Sequence, residues 1–345
     1  MSNTAKTLGR KRMSVIAAGI ATMAMALTAC ATDSPTNPGT TEPETPSALT
    51  SVNIIVPADP GGGWDGLGRT MQSVLTDSKI LSSAPVENIG GAGGTIGLAS
   101  INNKPANTLF VTGLVMVGAV ETNKSKVRIE DTTPIARLTE EALVIVVPAD
   151  SKYKTLKDLV DDVIANGHAV SITGGSAGGA DHILAAMLLR EAGVAAEDVD
   201  SKLNYVANSG GGEAVTLLLG NNVSAGISGV SEFSEHVLSG SLRALAVSSP
   251  ARNGILKDAP TIMEGGYDLE LTNWRGVLAP GGISDEERQQ LLDVVDKMYN
   301  TPAWKDALKT KGWDDAYMAG DEFAKYIQGN ITEIKATLKA VGLIQ

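Results

Sequence analysis

The chain reads as an α/β protein with mostly parallel sheets, large enough to fold as two lobes. Three observations carry that expectation. From Leu49 onward, short β-branched runs alternate with helical periodicity, the pattern of strand–helix–strand units. Glycine-rich loops stand between a strand and a helix start at two places within about forty residues, as parallel α/β units require. At 345 residues, 43% hydrophobic and 19% charged, the chain can build two cores.

Taken in order, the first unit is a strand at 52–57, carried by Val52, Ile54, Ile55 and Val56. Pro57 to Gly63 ends it, and Asp65 caps a helix over 65–77 whose apolar face is Leu67, Met71 and Leu75. Glycines without Cβ atoms let a ligand approach bare N–H groups, and the helix dipole favours negative charge, so this loop is a candidate anion cradle. A second cradle, Gly90 to Thr95, lies between a strand at 84–88 and a helix at 94–101. Further strands are expected at 108–112, 143–148, 169–173, 223–227 and 242–247. Helices are expected at 155–166, 180–191, 211–219, 231–239, 284–299, 302–311 and 320–341, with charged residues on their solvated faces. A lobe boundary near Pro148 separates lobe 1 (49–148) from lobe 2 (149–264), and 265–345 returns to lobe 1 through Trp274 to Pro280.

The N-terminus carries the most specific local signal. Lys11 and Arg12 precede an apolar run from Met13 that ends in Leu27-Thr28-Ala29-Cys30, the lipobox of a bacterial lipoprotein. The run is short of the roughly 20 residues a spanning helix needs. The expectation is a signal peptide at 1–29, lipidation of Cys30, a Thr/Pro/Ser-rich tether at 30–48, and attachment to the outer face of the cytoplasmic membrane. Cys30 is the one cysteine, so an intramolecular disulfide is excluded.

Charge narrows the partners. The formal net charge is −11, and removing the four bases that precede Cys30 takes it to −15. Nucleic acid is thereby excluded as a partner, and an anion has to be held by local dipoles and hydrogen bonds. Three scattered histidines, His168, His182 and His236, form no metal-ligand pattern, and no cofactor is implied. His182 is expected to pack at a loop base, Arg69 to pair with Asp65 one turn away, and Arg275 to face solvent.

Two motifs suggest chemistry. Gly174-Gly175-Ser176-Ala177-Gly178 fits G-x-S-x-G between a strand and a helix, with His236 downstream and Asp200, Glu213 or Glu232 between, the order of an α/β hydrolase. A glycine-rich ligand loop explains the same residues. Gly61, Gly63 and Gly66 satisfy G-x-G-x-x-G with Glu87 about 20 residues on, but Pro57 and Pro60 stiffen a turn that a dinucleotide fold needs tight.

Over about residues 50–345 the order of motifs resembles the extracytoplasmic solute receptors of tripartite tricarboxylate transporters, the Bug or TctC-like family. The resemblance rests on Pro57 to Asp65, Glu87-Asn88 followed by Gly91 to Gly94, Tyr153 to Leu159, Gly240 to Val247, Pro260-Thr261, and Trp274 to Pro280. It implies a two-lobed periplasmic-binding-protein fold (type II) with crossover strands and a cleft between the lobes. It further implies a non-enzymatic, monomeric receptor that binds a small carboxylate and delivers it to membrane permease subunits; a ligand-presenting sensor is the alternative. Carried over, the ligand residues are Gly61, Gly62, Gly63, Trp64 and Asp65; Gly91, Ala92, Gly93, Gly94 and Thr95; Thr173, Ser176 and Ala177; and Ser228. Trp64 stands where relatives carry Thr or Ser, and Gly174 and Gly175 leave fewer hydroxyls. Ser224 and Arg275 also depart from the family's pattern. The fewer hydroxyls and the added indole suggest a less polar ligand body, an aromatic or extended apolar part stacked on Trp64.

Overall fold

A single sixteen-residue strand, Thr133–Pro148, is shared by the two halves of the molecule. The structure, a computed structural model, describes residues 48–208 and 211–345. The signal peptide, Cys30 and all of the tether but its last residue lie outside the described residues. The chain runs through β1 (Asn53–Val56), α1 (Gly63–Asp77), β2 (Val86–Asn88), α2 (Thr95–Ser100), β3 (Thr108–Gly113) and α3 (Leu114–Thr122) into the long strand, β4. It continues as α4 (Leu156–Asn166), β5 (Ser171–Gly174), α5 (Ala180–Glu191), the single turn α6 (Val199–Lys202), β6 (Asn204–Ala207), α7 (Gly211–Leu219), β7 (Ala225–Gly229), α8 (Val230–Leu238) and β8 (Leu242–Val247). The last stretch holds β9 (Thr272–Ala279), α9 (Asp285–Tyr299), α10 (Pro302–Lys311), β10 (Asp314–Ala319) and α11 (Gly320–Ala340).

Strand order is β2-β1-β3-β9-β4-β7-β5-β6, with β8 and β10 also on β4. Residues 133–142 of β4 pair with β9, residues 143–146 with β7 and residues 144–148 with β8, so one strand serves both halves. Four of the strand pairings among the described residues are parallel, β1 with β2 and β3, and β5 with β6 and β7. The five that involve β4 or β9 are antiparallel. The sheet is therefore mixed rather than mostly parallel. A chain that crosses between halves and comes back must run against the strands it rejoins, whereas the βα units within each half repeat one direction.

Local signals explain the helix starts. Thr155 and Asp158 form a reciprocal capping box at α4, and Ser284 and Glu287 do so at α9. Thr301 caps α10, which has Pro302 in its first turn and ends at Gly312 in the left-handed region. The C-terminal half of β4 is buried on both faces. Leu143, Ile145 and Val147 enter the main core, while Ala142, Val144 and Val146 enter a second core with Leu218, Phe233 and Leu242. That two-sided burial is why 143–148 is an unbroken apolar run in sequence. Residues 133–142, β9 and β10 carry more polar residues and escape the β-branched criterion.

Among the described residues, no helix is long and apolar enough to cross a membrane.

Candidate functional site

The loops that follow β1, β2, β5 and β7 converge with β9 on one cavity between the two halves. Its walls include Pro57, Ala58, Gly62, Gly63 and Trp64; Gly91, Gly93 and Gly94; Gly175, Ser176 and Asp181; Ser228, Gly229 and Glu232; and Asn273 and Arg275. The space is about 60 Å³, enough for a few waters or a small molecule.

The first loop is held in shape by Asp65. Its Oδ2 accepts from the Gly61 N–H (3.0 Å) and Arg69 Nε (2.8 Å), and its Oδ1 accepts from Asn88 Nδ2 (2.9 Å). Asn88 Nδ2 also donates to the Ala58 carbonyl (3.0 Å), so the ends of β1 and β2 are tied together. Burial acts to raise the Asp65 pKa, but the hydrogen bonds from Arg69, Asn88 and Gly61 hold it below its ordinary value. Asp65 is thus a positioning residue that anchors the loop from behind. With that anchor, Gly62, Gly63 and the Trp64 indole face the cavity. At Gly94 φ is +87°, and an added Cβ would lie 2.7 Å from the Trp64 ring, so glycine there leaves room for the indole beside the second loop.

Strand alternation decides what β9 contributes. Trp274 points away from the cavity, donating from Nε1 to Asn330 Oδ1 (2.9 Å) and packing edge-on against Phe323 and Tyr326 of α11. Its neighbours Asn273 and Arg275 take the opposite face and line the cavity. Arg275 is 2% exposed, so the expectation of a solvent-facing side chain is corrected: its position in register on β9 puts it inside. Arg275 Nη2 pairs with Glu141 Oε1 from β4, which is itself fully buried. Arg275 Nη1 and Asn273 Oδ1 have no hydrogen-bond partner among the described residues. Buried polar atoms are nearly always paired, so two orphans on one cavity wall make that wall a candidate ligand position.

The facing half brings carboxylates. Glu232, from the first turn of α8, accepts from Ser228 Oγ and from the Gly63 N–H at the start of α1. Burial raises its pKa. Asp181, in the first turn of α5, accepts from the Gly175 N–H (2.7 Å), and burial pushes its pKa up to about 7. His182 stacks on Tyr205 with ring centroids 4.2 Å apart, and its Nδ1 accepts from the Gly178 N–H (3.0 Å). Burial lowers its pKa to about 4, so it is a neutral loop support at pH 7.

Of the ligand residues expected from sequence, Gly62, Gly63, Trp64, Gly91, Gly93, Gly94, Ser176 and Ser228 lie on the cavity wall. The other six lie off it. Gly61 turns to the far side of its loop, where it lines a separate surface depression, and Asp65 anchors from behind. The Ala92 carbonyl accepts from Thr95 Oγ (2.9 Å) and from Asn123 Nδ2 (2.9 Å), so both residues serve their own turn. Thr173 Oγ donates to the Val206 carbonyl (2.9 Å), and Ala177 is exposed. Asp181, Glu232, Asn273 and Arg275 went unassigned as ligand residues. The one legible hint was the charge of Arg275 in a strand that runs on through Val277, Leu278 and Ala279.

The two enzymatic patterns find no support in the geometry. Ser176 Oγ donates to the Asn208 carbonyl (3.4 Å), and His236 lines a separate depression rather than the cavity that Ser176 lines. Glu87, the acid a dinucleotide fold would use, pairs with Lys104 (2.8 Å).

Two α/β halves joined by a shared strand, closing on a small cavity of glycine loops, define the class: a periplasmic-type solute-binding protein. Comparison with known proteins gives the family. Residues 69–343 match the tripartite tricarboxylate transporter family receptor, and the chain belongs to that family of solute receptors, whose members are not enzymes. The "UPF0065 protein in the TAR-I ttuE-ttuC' intergenic region" of Agrobacterium vitis is 31% identical over 258 residues, covering 73% of this chain and 72% of that one. Protein BugT of Bordetella pertussis is 27% identical over 299 residues, 84% of this chain and 89% of BugT. Among solved structures, the periplasmic binding protein BugD superposes with a TM-score of 0.76 at 22% identity, covering 85% of this chain and 98% of its own. MatC from Rhodopseudomonas palustris, solved with bound malate, gives 0.73 at 20% identity over 84% and 98%. A second R. palustris protein, solved with adipate, gives 0.75 at 20% identity over 86% and 98%.

Proposed function

We propose that this chain is a lipid-anchored, extracytoplasmic receptor that captures a small carboxylate in the cleft and delivers it to the membrane permease subunits of a tripartite tricarboxylate-type transporter. The observation that carries the ligand class is Arg275 Nη1, unpartnered among the described residues and buried on the wall of a cavity whose other lining includes Gly62, Gly63 and Trp64 at the start of α1. Hydrogen bonds to a charged group are worth roughly 1.5–3 kcal/mol each, so three or four supply the roughly 8 kcal/mol of micromolar binding after ordering costs. Malate in MatC and adipate in the second R. palustris structure support the same class. Trp64 supplies an apolar wall for the ligand body.

Closure turns on β4 between Ala142 and Leu143, where pairing passes from β9 to β7 and β8. The receptor acts as a monomer, and Cys30 holds it at the membrane. A thermal-shift screen of mono-, di- and tricarboxylates tests the ligand class, and no stabilisation by any of them overturns it. Replacing Cys30 with Ser releases the protein into the soluble fraction if Cys30 is its anchor; continued membrane association refutes lipidation there.

A further inference from the structure

Gly62, Gly63 and Glu232 line the cleft cavity on one side and a second depression on the other, so Glu232 stands in the partition between them. It comes from the first turn of α8, in the half that faces α1. Its carboxylate nonetheless accepts from the Gly63 N–H at the start of α1, as well as from Ser228 Oγ in its own half. Helix α1 opens on Gly62 with no side-chain cap of its own. An acid placed there answers an orphan N–H and the helix dipole together. Arg275 is close by: a Cβ on Gly63 would collide with its Nη2 and lie 2.9 Å from Glu232 Oε1. Glycine at the start of α7 completes the seat, because a Cβ on Gly211 would overlap Glu232 Oε2. A carboxylate between a helix N–H and a guanidinium is the arrangement that a bound acid would adopt in this cleft. The chain's own acid already has it.

We propose that Glu232 is a built-in competitor of the ligand: it holds the place beside Gly63 and Arg275 that the ligand's carboxylate takes, and it withdraws when a ligand seats. This rests on the carboxylate reading of the site and adds how that site is regulated. Space agrees with it. The cavity measures about 60 Å³ with Glu232 in the partition, whereas the depression on the other side measures about 360 Å³ and has room for the withdrawn side chain. Lys311 and His236 line that depression, and so does Trp313, whose buried Nε1 is a donor with no partner among the described residues. Withdrawal breaks the hydrogen bonds to Ser228 and Gly63, so a fraction of the molecules is open to ligand at any moment. Apparent affinity is lowered by that fraction, and removing the competitor restores it.

The test is calorimetric titration of the purified protein, of Glu232→Ala and of Glu232→Asp with acetate, succinate, adipate and citrate. Glu232→Ala removes the competitor. Glu232→Asp keeps its charge but draws the carboxylate back by one methylene, away from the Gly63 N–H. For the acids that bind wild type, the expected result is binding tighter by roughly tenfold or more in Glu232→Ala and roughly threefold or more in Glu232→Asp. Unchanged or weaker binding in both variants overturns the proposal and leaves the carboxylate reading standing. A gain in Glu232→Ala with none in Glu232→Asp assigns the effect to charge repulsion alone and also overturns it. Binding of none of these acids by wild type or either variant overturns both readings. Where circular dichroism shows that Glu232→Ala does not fold, Glu232→Asp decides the matter.

Discussion

Replacing Arg275 with Met removes the guanidinium and keeps much of its length. Arg275 and Glu141 have side-chain exposures of 3% and 0%, so neither charge is solvated. After the substitution Glu141 keeps, among the described residues, a long contact from the Ser231 N–H (3.4 Å), and a buried carboxylate loses its ion-pair partner. Breaking a buried pair on one side costs about 3–5 kcal/mol. Arg275→Met/Glu141→Gln leaves no orphaned charge and recovers most of that loss, giving a coupling well above the few tenths expected of independent sites. Urea unfolding followed by circular dichroism at pH 7.5 measures both variants. A loss below about 1 kcal/mol in Arg275→Met, or a double variant no more stable than the single one, refutes the assignment of Arg275 as the charge that compensates Glu141. Arg275→Lys separates stability from recognition. It keeps the positive charge but loses the planar fork, and with it the donor at Nη1. Carboxylate affinity falls by roughly ten- to a hundredfold, the equivalent of one charged hydrogen bond; unchanged affinity places the ligand carboxylate elsewhere.

Three further outcomes follow from the same geometry. Asp181 titrates near pH 7 in the folded protein against an ordinary value of 3.8, so the native state keeps a proton that the unfolded chain releases as pH rises. This group's contribution to stability declines across that window and is least above pH 7; Asp181→Asn therefore gains on wild type from pH 5 to pH 8 in urea midpoints, and a pH-independent difference refutes the shift. Gly94→Ala forces a Cβ into the left-handed region, at about 1–2 kcal/mol, and against Trp64, lowering the melting temperature and changing tryptophan fluorescence; normal values of both dismiss the contact. Gly63→Ala places a Cβ 2.3 Å from Arg275 Nη2 and 2.9 Å from Glu232 Oε1, so carboxylate affinity falls while α1 keeps its helical signal; unaltered affinity removes Gly63 from the site.

What the sequence by itself determined is local. β-branched runs placed β1, β2, β3, β5, β7 and β8, the capping box of Thr155 placed the start of α4, and glycines between strands and helices identified three of the loops around the cavity. Such features depend on propensities and turn chemistry within a few residues. Strand order, and with it the central part played by β4, came only with the fold, because pairings such as Glu141 with Asn273 join residues far apart in the chain. The site's charge was settled the same way. Arg275, Asn273, Glu232 and Asp181 lie on three separate elements, and the register and alternation of β9 against β4 bury Arg275 beside Glu141 while turning Trp274 outward to α11. Burial and register are properties of the assembled sheet, so the electrostatics of the cleft were decided by tertiary structure alone.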